Sequence, residues 1–158
     1  MIPFDRFLRA LLEHAGSEAE REGSSTIEAQ HLLLAMASPS EAETAELLGS
    51  LGLDHATLRG ALELELGHAL HAAGLSVDAS VLPEGKGSSR PAPAIGSSVQ
   101  HALERGLGTL RAAPRPAHLL LGILQAEVGT VPRALALAGL DRSALLGRVR
   151  QTLEAERS

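Results

Sequence analysis

Ile27-Glu28-Ala29-Gln30-His31-Leu32-Leu33-Leu34 is the stretch that decides the reading, because it returns in altered form as Pro116-Ala117-His118-Leu119-Leu120-Leu121. The two His-Leu-Leu-Leu blocks are offset by 87 residues, and Gly52-Leu53-Asp54 returns as Gly139-Leu140-Asp141 at the same offset. Leu58, Leu62 and Leu66 then map onto Leu145, Val149 and Leu153. Three blocks in one register mark a tandem duplication, and internal repetition sets the architecture before any local propensity does. The halves are read as residues 4–66 and 91–156, joined by a linker over 67–90, within one domain spanning 1–158.

Each half reads as four helices, giving an all-α fold with pseudo-twofold symmetry and no β-sheet. Phe4, Phe7, Leu8, Leu11, Leu12, Ala15 and Ala19 follow the spacing of one helical face, which Gly23 ends. A second helix is expected from Glu28 to Ala37, stopping before Pro39. Ser40 is placed as the cap of a third helix and Asp54 as the cap of a fourth, which carries Leu58, Leu62 and Leu66. The second half repeats this plan: a helix from Ser97 to Leu110, one opened by Pro116, a short one from Thr130, and a last one capped by Asp141. In the join from Gly67 to Ala94, the stretch Pro83 to Pro93 is rich in Gly, Ser and Pro and reads as a mobile surface loop, and Ala69 to Val81 reads as an extension of the fourth helix or an extra turn.

Composition agrees with helices. Of 158 residues 44% are hydrophobic, yet Phe4 and Phe7 are the sole aromatics, so the core must be built from Leu, Ala, Val and Ile. The net charge is −5 with a single lysine, Lys86, which disfavours a nucleic-acid partner. The charge is polarised, however, since residues from Arg90 onward carry nine arginines against five acids. Zero cysteines exclude disulfides, thiolate metal sites and thiol catalysis. No apolar run approaches a membrane span and no signal-peptide core opens the chain, so a cytoplasmic, monomeric protein with no membrane partner is expected.

The duplicated pattern resembles the N-terminal Clp repeat domain of Clp-type AAA+ unfoldases. The residues that carry the likeness are Ile27 to Leu34 and Leu47-Leu48-Gly49-Ser50-Leu51-Gly52-Leu53-Asp54, with Pro116 to Leu121 and Ala138-Gly139-Leu140-Asp141 as second copies. The resemblance implies a helical module that docks client proteins or adaptors ahead of an ATPase ring, with a role in chaperone action and regulated proteolysis. It implies no cofactor. The ATPase itself is missing from the pattern: the one Gly-Lys pair, Gly85-Lys86, is followed by Gly87, and Ser80 stands where a phosphate-cradling loop needs its first glycine. The chain is accordingly read as a free-standing or excised docking domain. The likeness points to Phe4, Leu12, Gln30, Pro91 and Ala117 as groove residues. Relatives that read phosphoarginine place Glu before each repeat histidine, where this chain has Gln30 and Ala117, so a guanidinium would lose its charged acceptors. Those relatives also open their second repeat with an aromatic residue, where this chain has Pro91.

Other candidates have plainer readings. His68 and His71 have a chelating i, i+3 spacing but no third ligand nearby, so no metal is expected. His31 and His118 hold equivalent places, which suits architecture rather than catalysis; Asp54 and Asp141 are structural for the same reason. Ser24, Ser25 and Thr26 lack a nucleophile elbow and read as capping residues. Glu18, Glu20, Glu22, Glu41, Glu43 and Glu46 read as solvated helix faces or an acidic surface for basic peptides. The function expected is a non-enzymatic protein-binding module. The alternatives are a small helical enzyme, or a nucleic-acid regulator using Arg105, Arg111, Arg115 and Arg133.

Overall fold

The computed structural model describes residues 3–74, 92–108, 110 and 113–157. Eight helices follow one another among them: α1 (Phe4–Glu22), α2 (Ala29–Met36), α3 (Ala42–Ser50), α4 (His55–Ala72), α5 (Ser97–Leu107), α6 (Pro116–Leu124), α7 (Thr130–Leu137) and α8 (Arg142–Arg157). The helix α4 continues through residues 67–72, so the helical part of the first half reaches into the segment read as linker. Most of that linker, with Pro91, lies outside the described residues.

The expectation of no β-sheet is corrected by a two-residue parallel ladder between β1 (Thr26–Ile27) and β2 (Ala94–Ile95). These extended segments lead into α2 and α5, whose starts lie side by side. Pairing satisfies backbone groups there: Ala94 N–H donates to Ser25 C=O at 3.1 Å and Gly96 N–H to Ile27 C=O at 2.8 Å.

The repeated motifs have local physical causes. In Gly-Leu-Asp, Gly52 and Gly139 take positive φ of 77° and 76°, where a side chain would be strained. The following Leu53 and Leu140 N–H groups reach back to Leu48 and Leu135 carbonyls at 2.8 and 2.9 Å. Asp54 Oδ1 then accepts Thr57 N–H at 2.8 Å. Asp141 Oδ1 accepts Ser143 and Ala144 N–H at 3.0 and 3.3 Å. One tripeptide closes one helix and caps the next. Ser40, by contrast, does not cap α3. Glu41 precedes that helix without a side-chain cap, and the Ser40 hydroxyl meets Ser38 Oγ at 3.1 Å and His14 Nδ1 at 3.2 Å.

The core is continuous across both halves. Leu32, Leu33 and Met36 of α2 join Leu119, Leu120, Ile123 and Leu124 of α6 in one buried cluster, with Leu11 and Val99 from the flanking helices. Helix α5 lies very close to α6: a Cβ on Gly106 would fall 2.3 Å from His118 C=O, and one on Gly122 would fall 2.1 Å from Ala102 C=O. Their counterparts 87 residues earlier are Ala19 and Ala35, both fully buried. The halves also differ in how they cross-pack, because α4 packs on α7 while α8 packs on α6. On α4 the buried stripe runs Leu58–Ala61–Glu65, not Leu58–Leu62–Leu66. Leu62 is only half-buried and Leu66 is 43% exposed.

Candidate functional site

The starts of α2 and α5 lock together by reciprocal capping. Ser98, in the first turn of α5, accepts the Ala29 N–H at 2.7 Å and donates its hydroxyl to Glu28 Oε1 at 2.6 Å. Glu28 Oε1 also accepts the Ser98 N–H at 3.3 Å, and its Oε2 accepts the Thr26 hydroxyl at 2.6 Å. Burial alone would push the Glu28 carboxyl up, but the donors from Ser98 and Thr26, helped by His31, hold it below its ordinary value. Gly96 leaves room for that carboxylate, since a Cβ there would collide with it at 2.2 Å.

The two repeat histidines do the same job. His31 Nδ1 accepts the Glu28 N–H and His118 Nδ1 accepts the Arg115 N–H, each at 2.9 Å and each three residues into its helix. Imidazole replaces the Glu or Gln that usually reaches back to the N-cap backbone. An accepting Nδ1 leaves Nε2 as the protonated nitrogen, and His31 Nε2 meets the Glu22 carboxylate. Burial, seconded by the charge of Arg115, holds His118 below its ordinary value.

Around this junction lie two clefts. One, of about 280 Å³, is bounded by the start of α2 (Glu28, Ala29, Gln30), by Ser98, His101 and Arg105 of α5, and by residues 126–133 leading into α7. Helix α7 enters it through Gly129 with no side-chain cap. The other, of about 240 Å³, is bounded by Glu18, Arg21 and Glu22 of α1, Gln30 and Leu34 of α2, Thr130, and Arg59, Leu62, Glu63, Glu65 and Leu66 of α4. Gln30 and Thr130 line both clefts and form the wall between them.

Of the groove residues suggested by the family likeness, Gln30 lines both of these clefts. Phe4 and Leu12 pack on the core, Phe4 with its ring 5.8 Å from that of Phe7. Ala117 is buried at 5% exposure and borders neither cleft. His31, His118, Asp54 and Asp141 all serve helix starts. Phe4 and Leu12, like Ala117, line neither of these two clefts, and Pro91 lies outside the described residues.

Glu18, read as part of a solvated face, is buried, and so is Glu65. Glu18 is 4% exposed and meets Arg59 at 2.7 Å, with Arg21 and His55 at 3.5 Å. Glu65 is 7% exposed and meets Arg133 Nε at 3.0 Å, tying α4 to α7. The signal was present: Glu18 sits seven residues after Leu11 and three after Ala15, on the apolar stripe of α1. Arginines are similarly engaged, Arg105 with Gly122 C=O at 2.9 Å and Arg115 with Glu156 at 3.1 Å. Arg111 lies outside the described residues. His68 and His71 are exposed, and no three potential metal ligands gather among the described residues.

The family model of the Clp repeat (R) N-terminal domain matches residues 4–106, from the start of α1 almost to the end of α5. The chain belongs to the Clp repeat N-terminal domain family. A comparison with curated proteins finds no match. At the level of the family, a Clp repeat domain is a non-catalytic module through which Clp systems engage substrates or adaptors. The match covers the first His-Leu-Leu-Leu block and the reciprocal cap between Glu28 and Ser98; the second block, at residues 118–121, lies beyond it. Among the described residues of this Clp repeat domain, no helix is long and apolar enough to cross a membrane.

Proposed function

We propose that this Clp repeat domain is a non-enzymatic docking module of a cytoplasmic Clp unfoldase system. It holds exposed segments of client proteins or adaptors in the two clefts that meet at Gln30 and Thr130. The observation that supports this most is the shared wall itself. Two adjoining clefts, framed by helix starts that cap one another, offer a pre-formed concave surface on rigid elements. An extended segment crossing that wall would contact both clefts. The arrangement departs from phosphoarginine reading, because Gln30 carries no charge and Ala117 is buried away from the clefts.

A photo-crosslinking amino acid at position 30 tests the reading. Reduced, alkylated and therefore permanently unfolded lysozyme should crosslink there and compete with a second unfolded client, whereas the same probe at exposed Ser50 on α3 should not react. Equal yields at the two positions would overturn it.

A further inference from the structure

The two clefts differ in charge, and the difference points to what one of them accepts. Arg59, Leu62, Glu63 and Leu66 share one face of α4, at i, i+3, i+4 and i+7. They border the cleft against α1 and α2, with Leu34 from the other side. Four carboxylates and two guanidiniums line this cleft. Both guanidiniums, Arg21 and Arg59, are already bound to Glu18. Glu65 is held by Arg133 and Glu22 by His31. Glu63 is exposed, and among the described residues it pairs with none. The first half of the sequence has the same sign, since residues 1–89 carry fourteen acids against five Lys and Arg. The cleft beyond Gln30 is different, with His101, Arg105 and Arg133 facing Glu28 and Glu127.

We propose that the α1–α2–α4 cleft receives a lysine or arginine side chain, carried next to an aliphatic residue in the docked segment. The inference rests on the docking function proposed above. Complementarity selects the occupant: a Lys or Arg stem lies along Leu62 and Leu66 while its charged head reaches Glu63. No purely apolar or acidic side chain satisfies both halves of that lining. The polarity of the docked segment follows, with its cationic residue on the α4 side of Gln30.

The test is fluorescence anisotropy with short labelled peptides built on Ala-Leu-Arg-Leu-Ala, against versions carrying citrulline or Glu in place of Arg. The arginine peptide should bind about tenfold tighter than the citrulline peptide, the ratio expected for one charge-assisted contact, and its affinity should fall with added salt. Glu63→Lys should weaken it by a similar factor and bring the glutamate peptide up in its place. Glu43→Lys, on the exposed first turn of α3, should change neither. Because Glu63 is exposed and unpaired, its variants should keep the wild-type melting curve. Equal binding of the arginine and citrulline peptides, or indifference to Glu63→Lys, overturns the inference. If those results come with crosslinking of unfolded lysozyme at position 30, the inference falls alone; if crosslinking fails too, the docking function falls with it.

Discussion

Removing the Ser98 hydroxyl should cost the fold about 2–3 kcal/mol, because that one atom serves both helix starts at the junction of the halves. In Ser98→Ala the Ala29 N–H, on a residue 5% exposed, loses its acceptor at 2.7 Å. An orphaned buried donor costs roughly 1–3 kcal/mol. Glu28 also loses its 2.6 Å hydroxyl donor, keeping the longer bond from the Ser98 backbone and the one from Thr26. Bonds to carboxylates contribute roughly 1.5–3 kcal/mol, and partial exposure of Glu28 places this one at the low end. Urea unfolding at neutral pH should show the loss, with a melting temperature lower by about 4–10 °C for a domain of this size. Ser98→Thr keeps the hydroxyl and should stay near wild type. The Glu28 carboxyl is held below its ordinary 4.5, so its contribution is complete above that value and is lost as pH falls below it. Ser98→Ala should therefore also flatten the acid limb of the stability profile. In a double-mutant cycle with Glu28→Gln, the two changes should couple by about 1 kcal/mol or more. Additive effects, or a loss under about 0.5 kcal/mol, would refute the reciprocal cap.

Four further outcomes follow from the geometry of the fold and the clefts. His118 is held below 6.5 by burial and by Arg115, so its neutral form is the stabilising one. That contribution is complete above 6.5 and declines as pH falls below it; thermal melts should show the decline, and His118→Gln, whose amide oxygen can take over the capping role, should reduce it. Gly122→Ala, whose Cβ would fall 2.1 Å from the Ala102 carbonyl, should cost about 1–3 kcal/mol or more by forcing α5 from α6. Gly147→Ala, with open space in mid-helix, should instead stabilise by about 0.5–1 kcal/mol in the same denaturation assay. Calorimetry should find weak binding of free phosphoarginine, tightened about tenfold by Gln30→Glu, since a charged acceptor replaces a neutral one. Tight binding by the wild type would count against that reading.

What could be read from the sequence was local. Gly52-Leu53-Asp54 and Gly139-Leu140-Asp141 were legible as helix punctuation because every group they satisfy lies within about one helical turn of them. His31 and His118 were legible as architectural residues, but not as caps of their own helices, since imidazole is an unusual acceptor at that position. The partnership of Glu28 with Ser98 spans 70 residues and leaves no periodic trace, and the short ladder beside it was missed for the same reason. On α4 the Leu58, Leu62, Leu66 spacing did not reveal the buried face, where Glu65 is paired with Arg133 from α7 while Leu66 borders the cleft. Of the groove residues suggested by family likeness, Gln30 borders the two clefts described, while Ala117 and Leu12 are engaged in helix packing.

The most direct test of docking at the junction is amide chemical-shift mapping of the ¹⁵N-labelled chain titrated with reduced, alkylated lysozyme. The account predicts saturable shifts centred on Gln30 and Thr130 and extending to Glu63 and Leu66. Shifts confined to α3 and α8, or no saturable shifts at all, would contradict it.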